Sequence, residues 1–182
     1  AELPRDVAAA ILTQMSADRG VDVFRDLAEP ARGELLALLP GETRRTVLQL
    51  LAFPEDSAGA IMTTEFVSVP PDWTVAEVLH HIRMVERSRE TVYAVYVIDP
   101  RRNVLLQAVS LRRLVSGDPH ANVLSVAPQR KPVTVRAAAP REEAVRLISR
   151  YDLLAVPVVD GRGHVLGIVT VDDVIDAMVQ RQ

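Results

Sequence analysis

The chain has 182 residues, of which 48% are hydrophobic and 25% charged, a balance typical of a globular protein with a sizeable core. Its formal net charge of −3 argues against nucleic acid as a partner, because nucleic-acid-binding domains usually carry a strong basic excess. The absence of cysteine excludes disulfides and thiolate metal sites, and every apolar run is far shorter than the roughly 18 residues of a membrane helix, so we expect a soluble module.

The first 57 residues have no strand pattern. Helix-breaking sequences interrupt this segment about every ten to thirteen residues, and Leu, Val and Ala lie between the breaks. This pattern predicts short helices stacked as a small superhelical array, each too short to be stable alone. The segment holds ten acids and six arginines, a net charge of −4, whereas the rest of the chain carries +1. The acidity therefore belongs to the helical segment.

The remaining sequence contains a duplication. Residues 67–82 align with residues 133–148 at an offset of 66, and residues 95–99 align with residues 156–160 at an offset of 61. The offset falls to 60 at Val109 and Val169, so the first copy carries about six extra residues. Those residues are placed in the loops at 88–90 and 100–103. A repeat of this size predicts paired supersecondary units that share a core.

Each copy is predicted to fold as β-α-β-β-α. A short alternating strand precedes a helix start, which is a capping box at Thr74–Glu77 in the first copy and Pro140 followed by two acids in the second. Two β-branched strands follow, and the closing helices begin at Leu111 and Val171. The predicted strand pairs are 91–98 with 104–110, and 155–159 with 165–170.

Several of these motifs resemble a known family. The stretch Leu-Gly-Ile-Val-Thr-Val-Asp-Asp-Val at 166–174 is similar to the final strand-to-helix stretch of a cystathionine-β-synthase (CBS) domain. The junction at 50–62, together with 90–93 and 151–157, resembles the cytosolic region of the MgtE family of magnesium transporters and channels. The resemblance implies an α+β architecture in which a short all-α superhelical segment precedes a tandem pair of CBS domains.

The resemblance also implies a domain organisation and a location. Residues 1–57 would form a partial helical domain, residues 58–120 the first CBS domain and residues 121–182 the second. A membrane pore domain would follow in the same polypeptide, and this region would lie at the cytoplasmic face of the membrane. CBS pairs commonly dimerise through exposed helix faces, so a homodimer is expected.

Paired carboxylates are the candidate metal ligands. Asp18 and Asp22 have i, i+4 spacing on one helix face, and Asp173 and Asp176 have i, i+3 spacing on the last helix. Mg²⁺ prefers carboxylates, carbonyls and retained water. The resemblance implies that magnesium bridges Asp18 and Asp22 on the helical side to a second set of acids on the CBS side. That second set is Asp173, Asp176, Asp152 and Glu142, with Asp26, Asp56 and Asp172 as additional or replacement ligands.

Each of these acids also has a purely structural interpretation. Acids with i, i+4 spacing on a surface helix are usually solvated charge. Asp173 and Glu142 lie in predicted first helical turns, where a carboxylate stabilises the helix dipole.

Nucleotide binding is a second candidate chemistry. CBS pairs often hold adenosine nucleotides through a Ser or Thr and an Asp three residues later, and the second copy has Thr170 and Asp173 at those positions. The first copy has Ser110 but carries Arg113 in place of the acid, with Gln107 and Ala94 as further departures. Arginine cannot accept a hydrogen bond from a ribose hydroxyl, so these departures argue against ATP.

We interpret the chain as a magnesium-sensing regulatory region and not as an enzyme. High magnesium would fill a carboxylate-lined interface, close the helical domain onto the CBS pair and favour a shut pore. Two alternatives remain at this stage. One is an energy-sensing adenine-nucleotide module attached to an enzyme or to a different channel, and the other is a scaffold without a ligand.

Overall fold

The computed structural model describes residues 4–85 and 92–179, with side-chain environments described up to Ile175 in the last helix. Position 91 and the predicted loop at 88–90 lie outside the described residues. The chain begins with four short helices, as the recurring breaks predict. They are α1 (Arg5–Gln14), α2 (Ala17–Asp26), α3 (Glu29–Leu38) and α4 (Gly41–Leu51).

The sharp connection between α2 and α3 is held by one arginine. The last carbonyls of a helix lack intrahelical partners, and Arg32 in α3 supplies donors to two of them and to the carbonyl of the residue that follows α2. Its Nε donates to the Phe24 carbonyl at 2.8 Å, and its Nη2 donates to the carbonyls of Arg25 at 3.2 Å and Leu27 at 3.0 Å. Pro30 occupies the first turn of α3, where its missing N–H costs nothing.

The two repeats have the predicted β-α-β-β-α order. In the first sheet, β1 runs parallel to β2, which pairs antiparallel with β3, and the second sheet repeats this arrangement with β4, β5 and β6. The bounds of the first repeat are β1 (Val67–Val69), α5 (Val75–Val85), β2 (Ala94–Ile98), β3 (Leu105–Ser110) and α6 (Leu111–Ser116). Those of the second are β4 (Val135–Arg136), α7 (Arg141–Tyr151), β5 (Ala155–Val159), β6 (Val165–Thr170) and α8 (Val171–Val179).

The registers of the two sheets match the duplication. Val69 pairs with Val97 in the first sheet, and Val135 pairs with Val158 in the second. These pairs reproduce the offsets of 66 and 61 between the copies. The capping box at the start of α5 is also formed, because the Thr74 N–H donates to Glu77 Oε2 at 2.7 Å and the Glu77 N–H donates to Thr74 Oγ1 at 3.3 Å.

The helical segment shares its core with the second repeat. One cluster of buried apolar side chains runs from the helical segment, through Phe24 and Leu50, into the second repeat, through Val156 and Val169. A separate cluster, which includes Val78 and Val109, forms the core of the first repeat, so the prediction that the two repeats share a core is wrong. The helical segment is therefore packed on the repeat that is more distant in sequence.

The connecting segments cross between the repeats. A 3₁₀ turn at Ala58–Ala60 follows α4, and there the Gly59 N–H donates to the Ala137 carbonyl at 2.9 Å. Thr63 and Ile168 then exchange two backbone hydrogen bonds of 2.9 Å, so this segment lies along β6. In the opposite direction, residues 119–123 bond to the start of α5 and to the residues before it. None of the described helices is both long and apolar enough to cross a membrane.

Gly167 in β6 permits the close approach of the crossing segment. A Cβ built at this position would lie 2.5 Å from the Thr63 carbonyl oxygen and 3.0 Å from the Met62 side chain. Because the nearest obstacle is backbone, the substitution Gly167→Ala should destabilise the protein by about 1–3 kcal/mol, as overpacking usually does. Urea unfolding followed by circular dichroism measures this effect.

Gly33→Ala is the matched control. Gly33 is exposed in the interior of α3 and has nothing within 4 Å of a built Cβ, so this variant should gain about 0.5–1 kcal/mol from helix propensity. Equal stability of the two variants would contradict the close packing of the crossing segment against β6.

Candidate metal site between the helical segment and the second repeat

Helix α2 places two carboxylates beside its core-facing side chains. Val21 and Phe24 are fully buried, whereas Asp18 and Asp22 lie one turn apart and line a cavity of about 740 Å³. The remaining side chains that line this cavity come from α2, the junction after α4 and the second repeat. They are Arg19, Arg25, Asp26, Glu55, Ala60, Ile61, Arg141 and Asp173.

Asp173 enters the cavity from the first turn of α8. Its Oδ2 accepts hydrogen bonds from the Thr170 N–H at 2.8 Å and from Thr170 Oγ1 at 2.7 Å, so it caps the helix as the structural interpretation expects. The pKa of Asp173 is nevertheless raised to about 6, mainly by burial and in smaller part by the negative charge of Asp18, whereas the two Thr170 bonds oppose the shift. The carboxylate is thus held in an unfavourable environment.

Asp22 also lies where its charge is disfavoured. Burial is the main cause of its raised pKa, and Arg25 is the main opposing influence. Arg25 Nη1 lies 3.3 Å from Asp22 Oδ1 and donates to the Ala60 carbonyl at 3.2 Å. This guanidinium therefore connects α2 to the crossing segment and neutralises part of the carboxylate charge.

Two buried polar atoms of the cavity have no hydrogen-bond partner among the described residues. They are Asp18 Oδ1 and Arg25 Nη2. An unpartnered buried carboxylate oxygen is costly, and a cation removes that cost directly. The carboxylates and the nearby Ala60 carbonyl form the all-oxygen donor set that suits a hard divalent ion.

The described residues contain no group of three or more Asp, Glu or His side chains already arranged to hold one metal ion. Mg²⁺ usually retains several waters and is bound through only one or two carboxylates. The arrangement of Asp18, Asp22 and Asp173 around one cavity is compatible with that kind of hydrated binding.

The other predicted ligands lie elsewhere or are not described. Asp152 ends α7 with a left-handed φ of 51° and lines a different cavity. Glu142 is exposed in the first turn of α7, next to the cavity-lining Arg141. Asp176 belongs to α8, but its side chain lies outside the described residues. The structure therefore brings Asp18, Asp22 and Asp173 together, and the ligand roles of all six acids stay predictions.

The additional or replacement ligands predicted from the sequence lie in different parts of the structure. Asp26 lines the same cavity as Asp18, whereas the Asp56 carbonyl accepts from the Arg141 N–H at 2.8 Å and Asp172 accepts from the Tyr93 hydroxyl at 2.7 Å. Glu55 lines the cavity and was not among the predicted ligands. Its position in the acidic Pro54-Glu-Asp-Ser57 junction is the sequence signal that identifies it.

A second cavity of about 710 Å³ lies between the two repeats. Four cationic side chains and one carboxylate line it, together with Tyr93, Gln107 and Ser110. The cations are Arg112, Arg113, Arg130 and Lys131, and the carboxylate is Asp152. This cavity is therefore positively charged, whereas the first cavity, called the acidic cavity below, holds five carboxylates and three arginines.

Comparison with known proteins agrees with this architecture. Residues 1–56 match the family model of the MgtE intracellular N domain, and residues 58–117 and 123–180 match that of the CBS domain. The fold is thus that of a CBS-domain pair preceded by a helical intracellular domain. The chain belongs to the MgtE family.

Individual relatives agree with that assignment. The magnesium transporter MgtE of Thermus thermophilus is 42% identical over 141 residues, which are 78% of this chain and 31% of the relative. The chain therefore spans about a third of the length of the curated relatives that it matches.

Two solved structures are also similar. The soluble part of a magnesium transporter superposes with a TM-score of 0.92 at 36% identity, over 98% of this chain and 69% of that one. The cytosolic domain of the Mg²⁺ channel MgtE in complex with ATP gives a TM-score of 0.90 at 38% identity, over 96% and 71%.

The raised pKa of Asp173 predicts a pH-dependent stability in magnesium-free buffer. The folded state holds this proton more tightly than the unfolded chain, so the stabilising effect of the protonated carboxyl is present at acid pH and is lost as the pH rises from about 4 through about 6. The substitution Asp173→Asn removes this loss of stability, because the amide stays neutral at every pH in the range. The variant should match the parent near pH 4 and exceed its free energy of unfolding by up to roughly 2–3 kcal/mol near pH 7.

Urea unfolding across this pH range, in the presence of a chelator, measures the difference. Asp72→Asn, which changes an exposed acid in the turn before α5, is the control and should not show this gain. A constant difference between Asp173→Asn and the parent from pH 4 to 7 would contradict the buried-charge interpretation.

Proposed function

We propose that this chain is the magnesium-sensing regulatory region of a magnesium transporter or channel, located at the cytoplasmic face of the membrane, and that it has no enzymatic activity. Mg²⁺ in the acidic cavity would hold helix α2 against the second CBS domain. The observation that carries this proposal is the buried Asp18 Oδ1, which has no hydrogen-bond partner among the described residues and shares its cavity with Asp22 and Asp173. The names of the relatives support magnesium as the ion.

The proposed switch is electrostatic. Two carboxylates about 4 Å apart repel by roughly 4 kcal/mol at an effective dielectric constant near 20. A divalent cation between them converts that repulsion into attraction, so the closed interface binds Mg²⁺ more tightly than the open one. Such a difference in affinity is what allows an ion to shift a conformational equilibrium.

The readout of the switch would be a membrane pore domain in the same polypeptide. When magnesium is abundant, the closed interface favours the shut pore. When magnesium falls, the uncompensated carboxylates separate the helical domain from the CBS pair and the pore opens. The region would thus act as a negative-feedback sensor.

Magnesium-dependent protease protection tests the sensor. Mg²⁺ should slow cleavage of the chain between the helical domain and the CBS pair, and Asp18→Asn, Asp22→Asn and Asp173→Asn should each move the protection midpoint at least about fivefold higher, a coupling of about 1 kcal/mol. Asp6→Asn and Asp72→Asn, which neutralise exposed acids outside the cavity, are matched controls with an unchanged midpoint.

The same assay tests the three remaining predicted ligands, which are not among the described residues that line the acidic cavity. Asp152→Asn, Glu142→Gln and Asp176→Asn are compared with the cavity variants, and an unchanged midpoint removes a residue from the site. If Asp18→Asn and Asp173→Asn both keep the parent midpoint, the acidic cavity is not the sensor.

The cavity between the two repeats supports a second function, the binding of a nucleotide. It has a volume of about 710 Å³, cationic walls and an aromatic ring at Tyr93, and a similar solved structure is a complex with ATP. Arg113, Gln107 and Ala94, which depart from the expected nucleotide pattern, all line this cavity.

The CBS helices also support the proposal of a homodimer. Met84 on α5, Val115 on α6 and Ile175 on α8 are large apolar side chains that are 69%, 69% and 53% exposed. A dimer interface across these helices would remove such side chains from water, which favours association.

Light scattering coupled to size exclusion measures the dimer. The parent should elute as a dimer, and Val115→Asp should yield a monomer because a carboxylate would be buried without a partner at the interface. Leu48→Asp places the same charge at a half-exposed apolar position of α4, outside the CBS helices, and should remain dimeric. A dimeric Val115→Asp variant would place the interface elsewhere.

A further inference from the structure

The duplication places residues of opposite charge at equivalent positions. Thr170 ends β6 and Asp173 follows three residues later, whereas Ser110 ends β3 and Arg113 follows three residues later. The backbone is the same in both places. The Asp173 N–H donates to Thr170 Oγ1 at 3.3 Å, and the Arg113 N–H donates to Ser110 Oγ at 3.4 Å.

The two positions line cavities of opposite charge. Asp173 lines the acidic cavity, and Arg113 lines the cavity between the repeats. Among the ionisable residues that line this second cavity, four cations and one carboxylate give a net charge of +3. An arginine donates hydrogen bonds and never accepts them, so Arg113 cannot accept a hydrogen bond from a hydroxyl group. Its planar guanidinium does match the geometry of a phosphate.

The segment at 128–131, which carries Arg130 and Lys131, is held in place by contacts within the protein. Gln107 Nε2 donates to the carbonyls of Pro128 and Arg130, both at 2.8 Å. Arg130 lies over the ring of Tyr151, 5.1 Å from its centroid, and Arg113 Nη1 donates to the Val126 carbonyl at 3.2 Å. A site that is ordered before binding loses less conformational entropy when an anion arrives.

The same cavity offers an aromatic ring. Tyr93 lines its wall, and the Tyr93 hydroxyl donates to Asp172 of the second repeat at 2.7 Å, which fixes the orientation of the ring. A ring held in this way can stack on a nucleobase, an interaction that tolerates any base. The cavity therefore combines a stacking surface with several phosphate donors.

We propose that this cavity selects a nucleotide whose ribose itself carries a phosphate, and that Arg113 binds that phosphate in the place where an acid would accept from free ribose hydroxyls. This inference rests on the nucleotide-binding function proposed above for the same cavity. It assigns Arg113 as the residue that determines specificity, and Arg112, Arg130 and Lys131 as donors to the remaining phosphate charge.

Two ligands with the same number of phosphates provide the test. Adenosine 5′-diphosphate has two phosphates and free ribose hydroxyls, whereas adenosine 3′,5′-bisphosphate has two phosphates, one of them on the ribose. Isothermal titration of the full chain with each, in identical buffer, should show the bisphosphate binding about tenfold or more tightly, the value of a charge-assisted bidentate contact. Inorganic pyrophosphate, the third ligand, should bind at least about tenfold more weakly than the bisphosphate.

Variants at position 113 test whether the charge of this side chain determines the preference between the two nucleotides. Arg113→Gln should bind the two nucleotides equally, and Arg113→Asp should reverse the preference, since an acid accepts from hydroxyls and repels phosphate. Arg113 is exposed, so both variants are expected to fold, and circular dichroism verifies this. Arg83→Gln removes an exposed cation of α5 outside the cavity and should retain the parent preference.

The outcomes distinguish the two proposals for this cavity. If the parent binds neither nucleotide, the nucleotide-binding function fails and the selectivity fails with it. If ADP binds as tightly as the bisphosphate, or Arg113→Asp keeps the parent ranking, the selectivity is overturned while nucleotide binding stands. Pyrophosphate binding as tight as that of the bisphosphate would overturn the role of the nucleoside.

Discussion

The crossing of residues 57–63 onto the second repeat is the constraint on which the rest of the structure depends. After α4 the chain does not enter the nearer repeat directly, but first lies along β6, where Thr63 and Ile168 exchange two backbone hydrogen bonds of 2.9 Å. Gly167 leaves room for this contact because it has no Cβ. As a result, the helical segment shares a core with the second repeat, and Asp18 lines the same cavity as Asp173, 155 positions later in the chain.

This interface combines opposing forces. Burial of side chains such as Phe24 and Leu50 in the shared core favours contact between the helical segment and the second repeat. The carboxylates at the edge of that core oppose contact, as the raised pKa values of Asp22 and Asp173 indicate. Arg25 compensates part of the charge through Asp22 and the Ala60 carbonyl. A cation that entered such an interface would offset this repulsion, and the balance of forces supports the sensor proposed above.

The duplicated domain pair shows how one backbone can serve two chemistries. Position 173 and position 113 occur in the same strand-to-helix turn, with matching hydrogen bonds from the helix N–H to the preceding hydroxyl. A carboxylate at one position and a guanidinium at the other make one cavity acidic and the other basic. The Tyr93 hydroxyl, in the wall of the basic cavity, donates to Asp172, which immediately precedes Asp173 in the chain.

The amino-acid sequence by itself determined the features that depend on near neighbours along the chain. The four short helices, the β-α-β-β-α repeat, the capping box at Thr74–Glu77 and the common face of Asp18 and Asp22 all follow from spacing within a few residues, and the MgtE family motifs identified the larger arrangement. Only the tertiary structure decided which acids meet. It brought Glu55 into the acidic cavity and put Asp152 in the other one, because those positions depend on the path of the crossing segment, and no periodicity within a single element encodes that path.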